Sequence, residues 1–209
     1  MPVGADNRIE MRGITLRYPP RTLFDRFDAD LTPGLTALLG PSGSGKSTLL
    51  AIIAGFETPD AGTVHIPDRF QHPTGIGPGW IMQAANVLAN RTAIDNVALP
   101  LLALGHPLTS ARRRARAALV VVGLATSTDK IAGHLSGGER QRVAVARTLA
   151  ADAPLVLADE PTASLGDEHR RLIVEHLATI AARDRIVAIA THDPWVADQC
   201  TAVIDLRNG

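Results

Sequence analysis

The sequence predicts an α/β fold: a parallel sheet covered by helices, with an N-terminal antiparallel β subdomain and an inserted α-helical lobe. Three observations predict it. Past residue 154, short apolar runs at 155–158, 186–190 and 202–206 alternate with helical patterns at 167–182 and 194–199, as strands joined by crossover helices do. Near the start, residues 9–18 and 23–31 alternate roughly between apolar and polar, which suits antiparallel strands with one wet face. Between them and the C-terminal alternation, residues 84–134 read as a helical block.

The elements follow in order. Pro19-Pro20 marks a turn between the first two strands. Residues 35–39 form an apolar run that ends abruptly in glycine, a buried strand feeding a loop. A helix is expected from Leu49, with Gly55 as its stop. Residues 57–79, rich in Gly and Pro, read as short strands and turns, and 80–82 as one more strand. Thr92 with Asp95 resembles a helix start, the acid placed to reach back to the cap. Thr109-Ser110 opens a second helix through Val122, ended by Gly123, and Ser136 precedes a third at 137–151. The expected organisation is one domain over 1–209: residues 1–83 and 135–209 form the core with its β subdomain, and 84–134 form the lobe.

Composition narrows the function. A chain of 209 residues with 45% hydrophobic and 20% charged residues can bury a sizeable core and is not of the disordered kind. The 21 basic and 21 acidic residues cancel, which disfavours a basic nucleic-acid binder, and no nucleic-acid partner is expected. The single cysteine, Cys200, excludes an intrachain disulfide and a Cys-rich zinc module. Apolar stretches such as 117–125 reach about half of the ~18 residues of a membrane span. Residues 1–10 lack a basic run followed by an apolar core, so no secretory signal is expected and the reading is cytoplasmic. Basic charge is almost entirely arginine; the two lysines are Lys46 and Lys130.

Lys46 lies in the most informative stretch. Gly40-Pro41-Ser42-Gly43-Ser44-Gly45-Lys46-Ser47 fits G-x-x-x-x-G-K-[ST] between an expected strand and an expected helix. The glycines let successive N–H groups curl toward phosphate oxygens, and the helix expected just after Thr48 adds its positive end. Lys46 would reach the outer phosphates of ATP, and the Ser47 hydroxyl would ligate Mg²⁺. Further on, the run 155–158 ends in Asp159-Glu160. Asp159 is the candidate metal partner, and Glu160 the candidate base that polarises an attacking water.

Together with Leu135-Ser136-Gly137-Gly138-Glu139-Arg140-Gln141-Arg142, these motifs resemble the nucleotide-binding subunit of an ABC transporter. Ser136 would cap a helix, and Gly137 and Gly138 would let its first N–H groups approach an anion, giving a second phosphate-binding surface. The resemblance implies a head-to-tail dimer sandwiching two ATP molecules, each held by the loop of one copy and by 136–138 of the other. It also implies that Tyr18 stacks on adenine, that Gln83 joins the Mg²⁺ or water shell, and that His192 contacts the γ-phosphate with Lys46 and Glu160. The partner implied is an integral membrane permease, with this subunit peripheral on the inner face of the membrane. Within the family the chain looks most like the lipoprotein-releasing and macrolide-exporter type, so export is favoured. An importer ATPase for a small solute and a soluble non-transport ABC ATPase are the alternatives, and the residue 135–142 stretch argues against a P-loop kinase. No C-terminal regulatory domain is expected.

One position departs from the family pattern. Pro161-Thr162-Ala163-Ser164-Leu165 is followed by Gly166 and then Asp167, so the acid that contacts the opposite subunit in the family is missing or displaced by one position. The basic run Arg112, Arg113, Arg114 and Arg116 reads as a solvated helix face, with contact to acidic lipid or to the permease as the sharper alternative.

Overall fold

The computed structural model describes residues 7–71, 77–163 and 165–207. Met1–Asp6 of the leader reading, residues 72–76 of the Gly/Pro-rich stretch and Ser164 therefore lie outside the described residues.

Among the described residues, eight strands and six α-helices follow one another: β1 (Ile9–Tyr18), β2 (Arg21–Leu31), β3 (Gly34–Leu39), α1 (Lys46–Ile53), β4 (Ala61–His65), β5 (Gly79–Ile81), α2 (Ala93–Ala103), α3 (Leu108–Val121), α4 (Gly137–Ala151), β6 (Leu155–Asp159), α5 (Asp167–Ala181), β7 (Ile186–Thr191), α6 (Pro194–Asp198) and β8 (Ala202–Asp205). β1 pairs antiparallel with β2 and with β4. The second sheet, in the order β5-β6-β7-β3-β8, is parallel throughout. This is the α/β architecture with an antiparallel β unit that the sequence predicts.

The parallel sheet divides the core by its period of two. Leu155, Leu157, Ile186, Ala188, Ala190 and Leu38 pack with Leu49, Leu50 and Ile53 of α1 and with Ile9, Met11, Ile14 and Phe24 of the antiparallel sheet. Their neighbours Val156, Ala158, Val187 and Ile189 face the other way, onto α4, α5 and the residues of α2 and α3. Every residue of β7 is buried, as a strand covered on both faces requires. Burial of each such Leu or Ile contributes about 1.5–3 kcal/mol. β1 is bent at Gly13, where its register with both partners shifts. There Gly62 holds φ +96 with its α-carbon against Gly13, and a β-carbon at 62 would sit 2.5 Å from the Gly13 carbonyl oxygen.

Two helix starts differ from expectation. α1 begins at Lys46, three residues before Leu49, because the loop turns straight into the helix at Gly45. α3 begins at Leu108 after Pro107, without a side-chain cap from Thr109 or Ser110. At α2 the Thr92 hydroxyl accepts from the Asp95 N–H, while the Asp95 carboxylate takes Arg112 at 2.7 Å. Buried Asn96 holds the preceding loop, accepting from the Leu88 N–H at 2.6 Å and donating to the carbonyls of Leu88 and Thr92. The arginine run of α3 is largely engaged within the chain. Arg112 pairs with Asp95, Arg116 with Asp129, and Arg114 donates to the Ala150 carbonyl, while Arg113 is exposed.

Candidate nucleotide site

The site is built at the C-terminal ends of three adjacent strands. β7 lies between β6 and β3, with Asp159 beside Ala190 and Leu39 beside Thr191. The ladder runs one step further on each side: the Glu160 N–H donates to the Ala190 carbonyl at 3.0 Å and the Gly40 N–H to the Thr191 carbonyl at 3.3 Å. Gly40, Glu160 and His192 are thereby brought side by side. In an open parallel sheet this edge is where ligands bind.

The loop 40–45 is shaped by close approach. Gly45 stands at φ +97, and a β-carbon there would lie 2.7 Å from Phe24 Cζ, inside the core of the antiparallel sheet. A β-carbon at Gly40 would lie 2.5 Å from Ser44 Oγ. Gly43 stands at φ +79 between Ser42 and Ser44, and the Pro41 carbonyl accepts from the Ser44 N–H. Lys46 is 6% exposed and turns back into the loop, its Nζ donating to the carbonyls of Gly40 at 2.8 Å and Pro41 at 3.0 Å. It also lies 3.5 Å from Glu160 Oε1.

Around this lysine the acidic residues are ordered. The Ser47 hydroxyl donates to Asp159 Oδ1 at 3.0 Å. Burial raises the Asp159 carboxyl above the ordinary carboxylate range, opposed by the Ser47 hydrogen bond and reinforced by the neighbouring Glu160 charge. Glu160 sits at φ +46, which turns its carboxylate back toward Lys46 and to 3.0 Å from His192 Nδ1. Gln83 is exposed just beyond β5 and, with Glu160, Thr162, His192 and Asp193, lines a cavity of about 420 Å³. A second groove of about 430 Å³ runs along the other side of the loop, lined by Tyr18, Arg21, Leu23, Gly43, Gly45, Lys46, Ser47 and Thr48. Tyr18 is half exposed there, with Glu57 nearby.

Ser136, Gly137 and Gly138 line neither of these cavities. Ser136 caps α4 in a full capping box: its hydroxyl accepts from the Glu139 N–H at 3.2 Å, and Glu139 Oε2 accepts from the Ser136 N–H at 2.9 Å. That backbone bond, ahead of burial, holds the Glu139 carboxyl below its usual range. A β-carbon at Gly137 would meet open space, whereas one at Gly138 would touch Leu165 at 3.3 Å. α4 is also strapped to the Gln83 segment, since Gln141 donates to the Met82 carbonyl at 3.2 Å and Arg147 to the Asn86 carbonyl at 2.6 Å.

Two arginines of the site carry no motif signal. Arg21 donates to the Gly43 carbonyl at 2.8 Å, from a strand 22 residues away in sequence. Arg170 lines the Glu160–His192 cavity and holds Asp193 at 2.8 Å. Only the i,i+3 spacing of Asp167 and Arg170 hinted at the second. Gly166 caps α5 at φ −67, an ordinary conformation, and Asp167 pairs with Arg170 at 3.0 Å.

A buried lysine on a glycine-rich strand–helix loop, with two carboxylates and an imidazole at the neighbouring strand ends, defines a phosphate-binding P-loop fold. The ABC transporter family model matches residues 25–163, and the chain belongs to that family. It is 37% identical to the lipoprotein-releasing system ATP-binding protein LolD of Chromohalobacter salexigens, over 100% of this chain and 95% of that protein. It is 37% identical to the macrolide export ATP-binding/permease protein MacB 1/2 of Paracoccus denitrificans over 96% of this chain, but spans 32% of that relative's length. The ATP-binding cassette MJ0796, solved as a dimer in a post-hydrolysis state bound to ADP and Pi, superposes with a TM-score of 0.83 at 29% identity, covering 96% of this chain and 95% of that one. Among the described residues, no helix is long and apolar enough to cross a membrane.

Proposed function

We propose that this chain is the ATP-hydrolysing subunit of an ABC transporter. Two copies bind ATP between them head to tail and drive a separate integral membrane permease, holding the subunit peripherally at the cytoplasmic face. The observation that carries the reading is the convergence of Lys46, Glu160 and His192 on one loop, with a second, open helix start at Ser136–Gly138 that lines neither cavity of that loop. The 84–134 segment would be the lobe that leads into that second surface. The names of the LolD and MacB relatives favour export over import.

In this reading Lys46 exchanges the carbonyls of Gly40 and Pro41 for phosphate oxygens, while the N–H groups of 42–48 surround the rest of the triphosphate. Tyr18 offers its exposed ring to the base. The oxygen donors suit Mg²⁺. No group of three or more His, Cys, Asp or Glu clusters as a stand-alone metal cage among the described residues, and Mg²⁺ in phosphate sites takes few protein ligands. Ser47, Asp159 and Gln83 would hold the ion, which supplies neutralisation of phosphate charge. Glu160 takes a proton from the attacking water, and His192 holds the Glu160 carboxylate in place. The test is Lys46→Ala. Loss of one charge-assisted bond should weaken ATP binding by about ten- to a hundredfold and stop hydrolysis in step. Unchanged binding and turnover would refute the reading.

A further inference from the structure

We propose that Arg170 is a positioning residue for His192: it ties Asp167, at the start of α5, to Asp193 at the end of β7, so that a contact made on Asp167 is felt by the Glu160–His192 pair. The inference rests on the functional reading of that pair given above.

His192 makes its bond to Glu160 from a side chain that is 61% exposed, so its own packing does little to hold the ring. What fixes it is the main chain that follows. The Asp193 N–H donates to Thr191 Oγ1 at 3.0 Å, and Asp193 Oδ1 accepts from the Trp195 N–H at 2.9 Å, capping α6. Both contacts are local. The other carboxylate oxygen, Oδ2, accepts from Arg170 Nη1 at 2.8 Å, a bond from a different element. Arg170 is held in turn at three points. Its backbone N–H donates to the Gly166 carbonyl, its Nη2 lies 3.0 Å from Asp167 Oδ1, and its guanidinium stacks 4.7 Å from the centre of the Trp195 ring. One planar group thus joins the acid after Gly166 to the acid after His192, and Arg170 and Asp193 line the cavity that Glu160 lines. A lysine could not bridge two carboxylates and stack at once.

The two ends differ in strength. Asp193 is 24% exposed and doubly bonded, whereas Asp167 is 82% exposed, and an exposed i,i+3 pair is worth little. Asp167 is therefore the end that can be exchanged for an outside partner without cost to the fold. Its release would leave Arg170 free to shift against Asp193 and, through it, to move His192. Asp167 becomes the input of this connection.

The experiment compares Arg170→Ala, Arg170→Lys and Asp193→Asn by single-turnover ATP hydrolysis at saturating chain, by ATP binding, and by ¹⁵N NMR of the His192 ring in the nucleotide-free chain. Asparagine caps a helix as well as aspartate does, so Asp193→Asn removes the charged bond to Arg170 while keeping α6. Arg170→Ala and Asp193→Asn should each slow hydrolysis by about tenfold or more, since small misplacements of a catalytic group are costly. ATP affinity should stay within about twofold of wild type. The His192 ring should lose the shift of an Nδ1-bonded imidazole, with Arg170→Lys in between. In a His192→Ala background, Arg170→Ala should add less than about a twofold further loss. An unchanged His192 signal in Asp193→Asn, or additive losses in the His192→Ala background, would overturn the proposal. If Arg170→Ala melts without cooperativity, Asp193→Asn alone decides. Full hydrolysis by Glu160→Gln would sink the functional reading instead, while the ring signal still judges Arg170.

Discussion

Glu160→Gln tests the centre of the site, and its two effects should run in opposite directions. The side chain keeps its shape, and glutamine is no worse than glutamate at φ +46, so the fold should hold. The change removes one negative charge 3.5 Å from Lys46 and 3.0 Å from His192 Nδ1. At an effective dielectric constant of ~20, the Lys46–Glu160 attraction is about 5 kcal/mol before solvation is counted. Without it, Lys46 is left to its two carbonyls and becomes more available to an incoming anion. ATP affinity should therefore be equal or higher. Hydrolysis should fall by about 10²–10⁴-fold, or roughly 3–5 kcal/mol of barrier, as expected when a general base is lost. The assay is a fluorescence titration with Mg-ATP beside single-turnover hydrolysis on the same preparation. A loss of less than about threefold in rate would assign the base elsewhere. Binding weakened in parallel with rate would mean that Glu160 organises the loop rather than the water.

Three further outcomes follow from the geometry. Gly45→Ala combines a left-handed backbone with a β-carbon 2.7 Å from buried Phe24, so it should cost about 2–4 kcal/mol and lower the melting temperature by about 5–15 °C, read by calorimetry. Gly137→Val meets open space in the chain; melting and ATP binding by the monomer should survive, while the ATP-driven dimer seen by sedimentation is lost. Gly166→Asp keeps an ordinary φ of −67 at the cap of α5, so stability should change by only a few tenths of a kcal/mol. In the Glu160→Gln background the same change should strengthen ATP-dependent dimerisation, and an unaltered sedimentation profile would refute that.

The sequence makes the strands of the parallel sheet legible because residues buried on both faces leave continuous apolar runs, as at 155–158 and 186–190. The true start of α1 is hidden in the sequence for the opposite reason. Its first turn, Lys46–Thr48, turns toward the site rather than the core, and apolar spacing begins only at Leu49. β4 leaves no clear pattern in the sequence because Ala61–His65 is an exposed edge strand with almost no inward face. The phosphate loop and the acids after β6 could be read from residue order alone, since their chemistry requires particular side chains in sequence. Arg21 and Arg170 could not. Their contacts to Gly43 and Asp193 lie 22 and 23 residues away, and apart from the i,i+3 spacing of Asp167 and Arg170 an arginine among nineteen carries no local mark of them.

The straps from α4 to the segment beyond β5 have a mechanical meaning. Gln141 and Arg147 are six residues apart, about 9 Å along the helix axis. One anchor would fix a position; two fix a direction as well. The Gln83 segment cannot tilt without swinging α4 with it, and the start of α4 is Ser136–Gly138. A rotation of ten degrees, carried over a helix about 22 Å long, displaces one end relative to the other by about 4 Å, more than the reach of a hydrogen bond. The helix is thus a lever whose fulcrum is set by two side-chain amide and guanidinium groups. Shortening either strap would change the gearing between the two ends of the molecule while leaving every motif residue in place.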